Sequence, residues 1–229
     1  MKKLIITVII ALFTITGSLN AQQKYAVIIA GNIDPDSAII PIAEQWNHGN
    51  GKSPFYGYDI FWKQTYLVWE KLVFGKNYDN DNVKVLFGNG NDFTYTGQSL
   101  RFKANSHGYL NATDAGAGHT TIAKTFAHLA STITEKDTLF VWVMSHGGTD
   151  PFSGSSYFYS YDNQKVYDSD LASWLGNIAV HKKVVFLSFP KAGGFVSKLA
   201  DDGTIVISEE EANGGERMSG KLESEIFCP

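Results

Sequence analysis

The chain has 229 residues, 44% hydrophobic and 18% charged, enough apolar side chains for one sizeable core and too many for a disordered chain. With 19 basic against 23 acidic residues and no basic run, it lacks the electrostatic footprint of a nucleic-acid binder. The single cysteine, Cys228, excludes an intrachain disulfide and leaves no thiol in the body of the chain, and one α/β domain is expected at this length.

Residues 1–21 read as a cleavable signal peptide: Lys2 and Lys3, an apolar run over 4–13, then small residues ending at Ala21. The run is short for a hydrocarbon core of about 30 Å. The expected mature chain is therefore secreted or periplasmic, with no membrane attachment after cleavage. Removing Lys2 and Lys3 takes 19 basic residues to 17 against 23 acidic ones, a net charge of −6.

Residues 24–30 (KYAVIIA) form a continuous β-branched run, which suits a strand covered on both faces. Residues 32–58 are rich in Gly, Pro and Asn and read as a long loop. Residues 59–74 have helical periodicity, with Ile60, Tyr66, Leu67, Trp69 and Leu72 on the buried face and Gly75 as C-cap. A strand over 82–87 ends at Gly88-Asn89-Gly90, and 91–118 is irregular. A helix over 120–134 follows, capped by Thr120 or Thr121, with Ile122, Phe126, Leu129 and Ile133 inward.

The strand over 137–144 ends at Ser145-His146-Gly147-Gly148. A short helix over 168–178, N-capped by Asp168, leads to a strand over 183–189 that ends at Pro190-Lys191-Ala192-Gly193-Gly194. A last strand covers 203–208. Alternating strands and helices predict a mainly parallel sheet with helices on both faces, and sites in such folds lie outside the carboxyl ends of the strands. Gly31-Asn32, Gly88-Asn89, Ser145 to Gly148 and Pro190 to Gly194 converge there.

The segments DTLFVWVMSHGG (137–148), VYDSDLASWLGNI (166–178), KKVVFLSFPKAGGF (182–195) and DGTIVISEEEANGGE (202–216), in this order and spacing, resemble the caspase-like and legumain-like cysteine peptidases of bacteria. The resemblance extends over about residues 24–216 and implies a caspase-hemoglobinase-like three-layer sandwich with a six-stranded sheet. It sets the domain at 22–216 and leaves 217–229 as a short polar tail, where members of the family usually continue further. It also implies a Cys-His dyad. His146 falls on the general-base position, Pro190 on that of the nucleophilic cysteine, and Ala192 on that of a family serine.

Proline carries neither a nucleophile nor a backbone N–H. The resemblance implies an oxyanion hole built from the N–H of the cysteine and that of Gly147, so one substitution removes the attacking atom and one donor. Losing such a donor alone costs about 10²–10³ in rate. The expectation is an inactive, exported peptidase homologue that binds a peptide or protein, with Gly147 as residual oxyanion-like backbone. Gly148, Lys191, Gly193 and Gly194 complete the binding rim. The alternatives are an active hydrolase using an unrecognised nucleophile and a degenerate relic without activity. Ser188, two residues below Pro190, and Cys228, in the tail, are the poor substitutes on offer.

No cofactor is expected. Asp79-Asn80-Asp81 lacks the glycine and terminal glutamate of a calcium loop, and His107, His119 and His128 have no ligand-like spacing, so no metal site is expected either. Trp62, Tyr66 and Trp69 read as core.

Overall fold

The computed structural model describes residues 22–31, 56–93 and 100–209, without the side chains of 56–60 and 100. The signal segment, most of the 32–58 loop, the Ile60 side chain, residues 210–216 of the expected domain, and the tail with Cys228 lie outside the described residues.

Five parallel strands form the main sheet: β1 (Lys24–Ala30), β2 (Val83–Phe87), β3 (Thr138–Met144), β7 (Lys182–Ser188) and β8 (Thr204–Ser208), in the spatial order β2-β1-β3-β7-β8. The continuous apolar runs predicted this: Val27, Ile28, Ile29, Val141, Trp142 and Val143 are all fully buried, because helices cover both faces. The two sides of each strand feed different cores. Val27, Ile29, Val141, Val143, Val185 and Leu187 pack with α2 (His119–Thr132) and α3 (Asp168–Gly176). Ala26, Ile28, Trp142, Met144 and Phe186 pack beneath α1 (Tyr56–Glu70). A one-turn helix, α4 (Val196–Leu199), closes the α2–α3 side through Leu199. The architecture is a three-layer α/β sandwich. The six strands implied by the resemblance are five in the main sheet among the described residues.

Several local details depart from expectation. In α1 the buried stripe runs through Phe61, Trp62, Tyr66 and Trp69 and continues past its end to Leu72, whereas Leu67 is 37% exposed. At 3.6 residues per turn Leu67 lies about 140° around the helix from Trp62, outside the stripe. Gly75 does not cap the helix but ends a π-helical turn, Lys71–Gly75, and the left-handed residue that releases the chain is Asn77 (φ 57°). α2 begins one residue early. Gly118 is its N-cap, and the orphan His119 N–H donates to the Asp162 carboxylate at 2.9 Å, the role assigned to Thr120 or Thr121. In α3 the N-cap is Tyr167, whose N–H donates to Asp170. Asp168 is inside the helix, its carboxylate accepting from Ser169 N and Ser156 N.

A second sheet went unforeseen. β4 (Gly147–Thr149), β5 (Ser156–Tyr159) and β6 (Lys165–Tyr167) form an antiparallel three-stranded sheet inserted between β3 and α3. Its inner side presents Phe158 and Val166 to the α2–α3 core, against Phe189 and Phe195. The signal is the alternation Ser156-Tyr157-Phe158-Tyr159, closed by a turn with Asn163 at φ 59°.

Candidate functional site

α1 follows β1 on one face of the sheet and α3 follows β3 on the other, so the topological switch point of the sheet lies between the carboxyl ends of β1 and β3. His146 stands beside it. β3 and β7 are neighbours in register, Met144 opposite Ser188, and Ser145 N donates to Ser188 O at 3.3 Å. His146 and Pro190 each follow two residues beyond these strand ends. The two turns touch: a Cβ on Gly147 would lie 2.8 Å from Pro190 O and 2.7 Å from the Phe189 ring. The turn after β3 thus lies against the turn after β7, Gly147 beside Phe189 and Pro190.

His146 is exposed, and its ring lies 5.8 Å from that of Phe61 on α1. Its carbonyl accepts from Tyr159 N at 2.9 Å, which starts the small sheet. Antiparallel ladders alternate, so Gly147, opposite Phe158, is a non-hydrogen-bonded position whose N–H points away from β5. Gly148 lies opposite Tyr157, and a Cβ there would come within 2.9 Å of the Tyr157 hydroxyl.

Pro190 occupies a tight turn. Ala192 N donates to Phe189 O at 3.2 Å, and Lys191 has φ 67° and ψ 17°. Proline cannot take a positive φ, so this is a type II turn with proline at its favoured first central position. Lys191, half-buried, holds the left-handed position usually given to glycine. Gly193 and Gly194 belong to the 3-10 turn Ala192–Phe195, and a Cβ on Gly194 would run into the Ser156 side chain. Gly194 is therefore a packing glycine. Ala192 is fully buried.

Ser188 does not face the rim. It is 7% exposed and its hydroxyl is engaged by the Glu209 carboxylate, so it lacks access to a substrate. The acidic turn at 79–81 is structural: Asp79 accepts from Asp81 N and Asn80 from Trp69 Nε1. Among the described residues no group of three His, Cys, Asp or Glu could hold a metal. His107 bonds Glu70 at 2.8 Å and His119 packs on Trp174.

The outer face of the small sheet was not anticipated. His146 and Tyr159 are cross-strand neighbours, as are Tyr159 and Lys165, and Tyr157 and Tyr167. Paired residues share a face, so these side chains form one half-exposed floor leading away from His146. The Lys165 ammonium lies 4.3 Å from the centre of the Tyr157 ring and 3.3 Å from Asp150 Oδ2, and Tyr167 donates to the same oxygen. Asp150 Oδ1 accepts from Ser153 N and Phe152 N, both at 3.1 Å. These backbone donors, then Lys165, lower the Asp150 pKa to about 2. Ser145 Oγ, donating to Tyr159 O at 2.6 Å, ties the end of β3 to this sheet.

The sequence matches no protein-family model and no curated protein. Among solved structures it is similar to protein GSU0716 from Geobacter sulfurreducens, with a TM-score of 0.42 and 12% identity over 73% of this chain and 50% of that one. The chain thus spans about half the length of that protein. Among the described residues no helix is long and apolar enough to cross a membrane.

Proposed function

We propose that the chain is a catalytically inactive homologue of the caspase-like and legumain-like cysteine peptidases, exported through its first 21 residues, which binds a peptide or protein segment at the carboxyl end of its sheet. What supports this reading is that β3 and β7, two residues before His146 and Pro190, are adjacent and in register, and that the turns following them are in contact at Gly147 and Pro190. An imidazole and an outward-pointing Gly147 N–H are what an acyl-transfer site retains once its nucleophile is gone. Pro190 is built into a type II turn, so the loss is accommodated by the backbone.

The test has two arms. Fluorogenic peptides cleaved after Arg, Lys, Asp or Asn are expected to give no turnover with the unaltered protein. Turnover that His146→Ala abolishes would defeat the proposal. In a Cys228→Ser background, Pro190→Cys is expected to be alkylated by iodoacetamide about tenfold faster with His146 than with His146→Ala, because a neighbouring imidazole favours the thiolate. Equal rates would mean that the two positions do not face each other. Ala192 stays unchanged in this design, since a hydroxyl in its fully buried site would have to find a partner.

A further inference from the structure

The outer face of β4–β6 has hydrogen-bond donors to give and its strong acceptor already taken. Tyr157 and Tyr159 on β5 stand on it with Lys165 and Tyr167 on β6, all four half-exposed. The Lys165 ammonium, 4.3 Å from the centre of the Tyr157 ring, pairs with Asp150 Oδ2 at 3.3 Å, so the two charges cancel. The Asp150 carboxylate is full. Its Oδ1 takes Phe152 N, Ser153 N and Ser153 Oγ, and its Oδ2 takes Lys165 and the Tyr167 hydroxyl. Strand carbonyls lie in the plane of the sheet and pair there, so they add no acceptor on the face.

A donor is left over. Tyr159 donates its hydroxyl to the Tyr157 oxygen over 3.5 Å, and the Tyr157 proton meets no acceptor among the described residues. That bond, then burial, raises the Tyr157 pKa, which keeps the proton in place to be shared. Tyr157 leans over β4, since a Cβ on Gly148 would lie 2.9 Å from its hydroxyl. The unmet donor therefore sits above the strand that begins immediately after His146.

Ring geometry and charge narrow the ligand. The Tyr157 ring crosses that of Tyr159 at 73° with centres 5.1 Å apart, and that of Tyr167 at 70° with centres 5.9 Å apart. Rings at such angles form ridges, not the flat plate on which a sugar ring stacks. With Lys165 and Asp150 neutralising each other, the face favours neither a basic nor an acidic segment. An ordinary peptide laid across it would bury backbone N–H groups where no acceptor is free to meet them. Proline has a carbonyl to accept and no N–H to leave unpaired.

We infer that this face binds an uncharged, proline-rich segment of another protein in the polyproline II conformation, its pyrrolidine rings between the tyrosines and a carbonyl accepting from Tyr157. The inference rests on the peptide-binding reading above and names the class of peptide. Such a segment is stiff before it binds, so docking costs little ordering, and aromatic-lined surfaces recognise it through ring contacts and carbonyls.

Fluorescence anisotropy of the full mature chain with labelled decaproline, and with a Gly-Ser peptide of equal length as reference, tests this. Decaproline is expected to bind about tenfold tighter than the Gly-Ser peptide, or better. Tyr157→Ala should weaken its binding about tenfold, as loss of an aromatic anchor does. Tyr157→Phe keeps the ring and loses only the donor, and should weaken binding about threefold to fivefold, with unchanged circular dichroism. Phe74→Ala, an exposed ring beyond the opposite end of α1 from His146, should bind like the parent. Equal affinity for the two peptides, no binding of decaproline, or a Tyr157→Phe protein that binds like the parent overturns the inference. Tighter binding of cellohexaose than of decaproline overturns it too, in favour of a sugar. Failure of the underlying reading shows elsewhere, as peptide turnover abolished by His146→Ala, a result that the decaproline titration does not depend on.

Discussion

At the scale of single residues, the turn at the end of β7 carries the most information. Among the described residues Lys191 is one of three non-glycine residues with positive φ, and a left-handed conformation costs an L-residue about 1–2 kcal/mol. Glycine escapes that strain but loses about 0.5–1 kcal/mol of chain entropy, so Lys191→Gly should leave stability within about 1 kcal/mol of the parent. Lys191→Val, branched at Cβ, should lose a further 1–2 kcal/mol or so. Urea unfolding of the two variants checks the difference. Equal stability of the valine and glycine variants would mean that the turn is not type II. His146, Gly147 and Pro190 were legible in the sequence because each closes an apolar run, and a strand that ends at a polar turn declares its terminus. The left-handed backbone of Lys191 was not legible. It follows from Ala192 N bonding back to Phe189 O across a proline, which is a fact of three-dimensional closure.

At the scale of elements, the small sheet depends on one carboxylate. Asp150 accepts from Ser153 N and Phe152 N at the start of the β4–β5 loop and from Lys165 on β6, so it organises the hairpin and fastens it to the next strand. Its pKa is lowered to about 2, which means the folded hairpin prefers the charged form. The stability this confers is complete above the ordinary carboxylate range near pH 4 and is lost as pH falls toward 2. The difference in melting temperature between the parent and Asp150→Asn should therefore shrink from pH 5 to pH 2. A difference that stays constant would show that the charge plays no part. This sheet escaped the sequence reading because its strands are three or four residues long. Only Ser156 to Tyr159 alternates, over a span too short to outweigh the serines and glycine before it. Helix caps escaped for a related reason. The orphan His119 N–H at the start of α2 is met by Asp162, 43 residues away, and no local pattern can announce it.

At the scale of the whole molecule, stability concentrates in β1 and β3. Both are flanked by strands and covered by helices, and the side chains of Val27 to Ile29 and Val141 to Val143 have no exposure. Their amides should exchange with deuterium only through global unfolding, while those of β4–β6 exchange through smaller openings. Fast exchange in β3 would contradict a single cooperative core. By itself the sequence determined the strands of the main sheet, the layered α/β class and the polar turns in which His146 and Pro190 follow β3 and β7, because these depend on short apolar runs and the polar turns that end them. Tertiary structure alone decided the insertion of a second sheet, the long-range bond from Asp162 to the start of α2 and the burial of Ser188 against Glu209. Each of these rests on hydrogen bonds or contacts between residues distant in the chain, and periodicity carries no record of such pairs.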